Sequence, residues 1–365
     1  MSFIWDLWMT HSDTDDLIHI DTQKAREFGE LIPKAMSTLP SSFCGVVRDP
    51  FLKRQSQYKI YEWMALLHWY IIPIGIELGF DTRVLANFAE FVQIIEFAMT
   101  VKERSDEDLH ELHLLINNFL QGYELLYVQN DPEKVLRSIG ELGRKIRSKK
   151  EPFVNLANIL WSKEAIKILL LRYPFLERPI KVKPRNLTMK EFKIPKREYT
   201  SNSEFSNHLR LICQWLGKNV NEDIELRRWG KYSYSQKYTL RSRLSEQDKD
   251  KVSRSARYFE AAIECDKGIQ IEFGEAIAFY ELVKEKKVVV VYHPLDNRQK
   301  ILSQWRGTWS SDIKVLPASA IQTVVGIWSH KNRVYVLRKH PGLDMLSAAE
   351  SNRIEDNGED SDNDE

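Results

Sequence analysis

The spacing of apolar residues changes once along this chain, and that change limits its fold more than any other feature. Up to Leu216 the apolar positions recur at intervals of three and four; from residue 226 to 340 they alternate or run continuously in short β-branched and aromatic segments. The two periods cannot serve one kind of element, because a face repeats every 3.6 residues in a helix and every 2 in a strand. The chain is therefore predicted to be α+β, a helical N-terminal part followed by a small antiparallel β-barrel.

Between Tyr58 and Phe80 one buried helical face is marked by Ile60, Trp63, Met64, Leu67, Tyr70 and Ile71, with a kink or break expected at Pro73, which lacks an amide hydrogen. Helices are also expected over 22–36, 82–99, 106–128, from Asp131-Pro132 to about Ser148, after Pro152 as far as Tyr173, and over 203–216. In the third of these Leu109, Leu112, Ile116, Phe119, Leu120 and Tyr123 should point inward. The strand-like runs are RYFEAAIEC, IQIEFGEAIAFYELV, KVVVVYHPL, AIQTVVGIW and RVYVLRK, and the short links Lys284-Glu285-Lys286 and His330-Lys331-Asn332 predict hairpins. The resulting division is a poorly defined segment 1–43, a helical region 44–176, a basic Pro-containing linker with a short helix 177–225, the β-rich region 226–345 and an acidic tail 346–365 read as disordered.

Several classes of function find no support. Cys44, Cys213 and Cys265 are too few and too scattered for a disulfide framework or metal knuckle and suggest a reducing compartment. The uncharged run Trp63–Ile76 is shorter than the roughly 20 residues a membrane span needs, so a buried core helix is expected and no membrane partner. Glu107 and His110, with His113 beyond, are half of a di-iron pattern without its second half and read as a solvated helix end; His68, beside Trp69, reads as a hydrogen-bonded core histidine. The glycines are isolated, no Ser, His or Asp sits in a nucleophile-elbow context, and no cofactor is expected.

Charge is the remaining signal. From Arg144 to Arg197 there are 16 Lys and Arg against 4 Glu, a local net of +12, while Glu355 to Glu365 carry seven acids and no base. The end of a helix accounts for some of Arg144, Lys145, Arg147, Lys149 and Lys150. It does not account for the excess continuing through Lys181, Lys183, Arg185, Lys190, Lys193, Lys196 and Arg197, interleaved with Phe192 and Tyr199. Contact with DNA, a nuclear-import signal and plain solubility all remain open for it, and the location that follows is the nucleus, otherwise the cytoplasm.

The run VLRSIGELGRKIRSKK from Val135 to Lys150, continuing as EPFVNLANIL, resembles a stretch near the end of transposases from fungal cut-and-paste elements of the CACTA-like and Kyakuja-Dileera-Zisupton groups, including Plavaka-type elements. YEWMALLHWYIIPIGI upstream and RRWGKYSYSQKYTLRSRLSEQDKDKVSRSARYFEA with FGEAIAFYEL through VYVLRKHPGLD downstream resemble the same proteins, so the likeness covers most of residues 43–345. The resemblance implies an RNase H-type nuclease in which two Asp and a late Glu hold two divalent metals. The family's Glu position is occupied by Leu136, neither Asp can be assigned in the residues before Tyr58, and Glu133 lies about one helical turn from Leu136. What the resemblance implies is thus a truncated, internally deleted transposase relative without strand cleavage, retaining DNA binding through the basic segment. A protein-interaction module using the β-barrel, or a decayed transposon product, are the alternatives.

Overall fold

Asp21 starts the first long helix: its carboxylate accepts from the Lys24 amide at 2.8 Å and caps α2, Thr22–Met36. Before it, α1 (Ser2–Thr10) buries Trp5 and Trp8 completely. The structure, a computed structural model, describes residues 2–10, 12–53, 58–99, 104–129, 191–192, 203–219, 224–233, 239–247, 254–265 and 268–339. The helices expected over 131–148 and 152–173, most of the linker and the acidic tail lie outside the described residues.

After the short α3 (Pro50–Lys53), α4 (Ile60–Ala65) and α5 (Ile71–Glu77) are joined by a π-turn at Leu66–Tyr70, in which the Ile71 amide reaches back to the Leu66 carbonyl. The irregularity expected at Pro73 therefore falls in the turn before it. The proline offers no amide to the Trp69 carbonyl and crowds it, and widening the preceding turn moves that carbonyl aside. Residues 65–75 are buried, and no helix among the described residues is long and apolar enough to cross a membrane.

α6 (Thr82–Met99) buries Val84, Leu85, Phe88, Ala89 and Val92, as its period requires. α7 (Asp106–Tyr123), extended by a π-turn to Val128, departs from expectation because none of its residues is buried. Leu112, Ile116, Phe119 and Tyr123 are half-buried, whereas Leu109 and Leu120 are each 50% exposed. The helix lies at the margin of the layer and packs along α6, where Phe119 stacks on Phe91 at 5.4 Å, so only a narrow stripe is covered. α8 (Ser203–Leu216), a helix where one was expected, turns Phe205 and Ile212 onto the sheet.

The sheet is built on two long strands, β6 (Gly268–Leu282) and β7 (Lys287–Ile301), hairpin partners across Lys284-Glu285-Lys286. Each meets different strands along successive stretches. β6 pairs with β5 (Tyr258–Cys265) and then β2 (Leu226–Trp229), which also carries β1 (Glu191–Phe192). β7 pairs with β9 (Lys314–Pro317) and then β8 (Gln304–Trp309). Beyond β8 come β12 (Arg333–Leu337) and β11 (Gly326–His330), while β10 (Ile321–Val324) lies on β5. β3 (Lys231–Ser233) and β4 (Thr239–Arg241) form a separate ribbon, leading into the short α9 (Arg243–Gln247).

The fold is α+β as expected, and the small antiparallel barrel takes the form of an open, curled half-barrel. Closure would bury the concave face against itself; here much of the sheet's apolar surface is buried against helices. One continuous cluster runs from Trp5, Phe28 and Trp69 into Phe259, Tyr292 and Trp328. The turns after α2, residues 37–43, lie along the seam. Ser255 N donates to Ser37 O at 2.9 Å, Ile327 N to Thr38 O at 3.3 Å, and Trp69 Nε1 to Arg338 O at 2.8 Å.

Candidate functional site

Leu136 and the predicted DNA-binding residues Arg144, Lys145, Arg147, Lys149, Lys150, Lys181, Lys183, Arg185, Lys193, Lys196 and Arg197 all lie outside the described residues. Two residues of the basic segment are placed, Glu191 and Phe192, laddered opposite Trp229 and Arg228. That pairing puts the segment's described portion beside the strand that runs through Gly230 into the β3–β4 ribbon.

The ribbon faces the seam across a cleft of about 280 Å³. In the ribbon's register Lys231 stands opposite Arg241 and Ser233 opposite Thr239. Residues two apart in a strand share a face, so the two cations and two hydroxyls point the same way, and all four line the cleft. The Ser233 and Thr239 hydroxyls meet at 2.9 Å. The opposite face is apolar: Leu240 is buried and Tyr232 stacks on Phe279 at 5.7 Å, which fixes the ribbon's orientation.

Two like charges directly across a ladder repel, and an anion seated between Lys231 and Arg241 would relieve that repulsion. Arg254 adds a third cation. Its Nε donates to Leu39 O at 2.8 Å and its Nη1 to Cys44 O at 2.5 Å, which pins the Pro40–Ser42 turn as the far rim. These partners are neutral carbonyls. Among the described residues Arg241 and Arg254 form no ion pair, and those that line the cleft include no carboxylate. Three cations with the hydroxyls of Ser41, Ser42, Ser233 and Thr239 constitute a donor-rich, acceptor-poor site, chemically suited to a phosphate group.

Sequence reasoning missed this cleft, although a signal was present: Leu226 to Arg243 holds six Lys and Arg, no acid, and interleaved aromatics. The seam residues could not have been found, since Arg254 meets Leu39 across 215 positions.

His68 is a core histidine, its Nδ1 within 3.0 Å of Glu96 Oε1. Glu107, His110 and His113 are exposed on α7, and no three His, Cys, Asp or Glu gather as a metal site among the described residues. None of the three cysteines is in a disulfide; Cys213 is buried, Cys44 half-buried and Cys265 exposed. No protein-family model, curated protein or solved structure matches the chain.

Proposed function

We propose that this chain binds the phosphate backbone of DNA with little regard to sequence, using the ribbon–seam cleft together with the basic segment 144–197. The carrying observation is the convergence of Lys231, Arg241 and Arg254 on one cleft whose described lining holds no carboxylate. Phosphate contacts position a protein on nucleic acid without reading bases. The net charge of +12 between Arg144 and Arg197 adds a second, larger field of the same sign. On this reading, and with the resemblance to transposases, the chain is a transposase-derived DNA-binding protein in which Leu136 stands in the metal-ligand position, acting in the nucleus.

Fluorescence anisotropy on a generic duplex over a series of salt concentrations tests the reading. Each phosphate neutralised contributes about 0.9 to the slope of log affinity against log salt. The double substitution Lys231→Gln, Arg241→Gln should therefore flatten the slope by about 1.8, and exchanging the five cations of 144–150 for Gln by about 4.5 more. A wild-type slope near zero, or a slope untouched by the ribbon substitutions, counts against the cleft.

A further inference from the structure

A second cavity lies on the other side of the seam. It has a volume of about 460 Å³, within the range of roughly 300–1,000 Å³ usual for small-molecule sites. The helical layer supplies one wall, with Ile72, Val92 and the His68–Glu96 pair; β5, β8, β10 and the end of β12 supply the other.

Its most unusual member is Glu260, on β5 opposite Thr323 of β10. The residue is 4% exposed. One carboxyl oxygen, Oε1, accepts from Arg338 Nη2 at 2.7 Å, but Oε2 is buried without a hydrogen-bond partner. Burial raises this carboxyl above the usual range despite Arg338. Leaving a buried polar atom unsatisfied is unfavourable, so the site gains when a ligand supplies a hydrogen-bonding group there.

The rest of the lining narrows the ligand. Glu96 and Glu260 are balanced by Arg338 and Lys339, which favours a ligand without net charge. Gln304 and Gln322 offer both donors and acceptors, and Trp305 offers a half-buried ring beside apolar walls. A flat, neutral group with a mixed hydrogen-bonding edge fits these features, and a nucleobase is such a group. The cavity also adjoins the phosphate cleft. Ser42 lines the cleft and Phe43 the cavity; Val324 lines the cleft and Thr323 the cavity, each pair being chain neighbours about 3.8 Å apart at Cα.

We infer that this cavity is a nucleobase pocket, which receives an unpaired base while the neighbouring cleft holds phosphate of the same strand. The inference rests on the phosphate-binding reading above, and it extends that reading from duplex backbone to single-stranded substrate.

Anisotropy with a labelled single-stranded oligonucleotide, compared with the same backbone made wholly of abasic residues, tests it. The intact strand should bind at least about 5-fold tighter, since one stacked base contributes about 1–3 kcal/mol, or roughly 5- to 150-fold. Glu260→Gln and, separately, the rim substitution Gln304→Ala should bring the ratio of intact to abasic affinity toward one. Lys231→Gln with Arg241→Gln should weaken both strands by the same factor. Equal binding of intact and abasic strands overturns the base pocket while leaving phosphate binding in place; abasic binding that ignores the ribbon substitutions overturns the phosphate cleft instead. Quenching of tryptophan fluorescence by free nucleosides, reduced by Trp305→Phe, would assign the pocket to soluble ligands as well as strand bases, and quenching by the oligonucleotide alone would assign it to strand bases.

Discussion

His208 shows how much one buried side chain can couple this fold to pH. It sits on α8 with Nδ1 2.8 Å from the Tyr280 hydroxyl, against the face of the sheet. Burial pushes its pKa down to about 4, opposed by Glu204 and assisted by Arg243, Arg228 and His293. An unfolded histidine takes up its proton near pH 6.5. Between these values the unfolded chain binds a proton the folded chain does not, so stability falls as pH drops from about 6.5 to about 4 and levels off below. Urea unfolding at pH 7 and pH 5 should differ by about 2 kcal/mol from this group, and His208→Gln, which keeps a partner for Tyr280, should remove that difference. At this scale the sequence was a partial guide. It marked His68 as a core histidine but could not pair it with Glu96, 28 positions away, and it gave no hint that Glu62 is enclosed by Arg48, whose Nη2 lies 2.6 Å from Oε2. Partners of this kind are chosen by the fold, after the elements have formed.

Elements were the most legible level, because each is specified by a short range of neighbours. α2, α6 and α8 begin and end where their apolar period and caps predict. The long strands and both hairpin links were readable for the same reason. β8, β9 and the β3–β4 ribbon were not: they are three to six residues long, too few for alternation to stand out. The burial of α7 was misjudged because periodicity states that a helix has an apolar face without stating how much neighbour there is to cover it. What α7 does contact is close. Gly122 faces Asn87, whose Nδ2 donates to Phe119 O at 2.8 Å, and a Cβ at Gly122 would come within 2.5 Å of that nitrogen. Gly122→Ala should therefore push Asn87 off the carbonyl and destabilise the protein by about 1–3 kcal/mol, read as a lower urea midpoint. An unchanged midpoint would mean that α7 shifts freely along α6.

For the whole molecule, the decisive fact is that helices and sheet share apolar surface. The sheet's Phe259, Phe279, Tyr292, Trp328 and Tyr335 belong to the same buried cluster as Trp5, Trp69 and Tyr70. A fragment limited to residues 226–345 would strip the helical share of that cluster from the sheet, and it should give neither dispersed amide resonances nor a sharp thermal transition. The intact chain should unfold in one step by fluorescence and circular dichroism together. A well-folded fragment would show that the half-barrel is self-sufficient. The α+β division and the curled antiparallel sheet were legible at this level; that the barrel stays half open was not, since antiparallel strands with an apolar face need something against it and the sequence does not say which part of the chain will come.

The seam also sets an order of events on the ribosome. Trp69 donates its indole hydrogen to the carbonyl of Arg338, 269 positions later. At roughly 5–20 residues per second, that partner emerges some 10–50 s after the tryptophan. Through that interval the nascent helices hold Trp5, Trp8, Phe28 and Trp69 without the strands that complete their enclosure. Synthesis of this chain thus depends on what guards those aromatic rings before the last hairpin arrives.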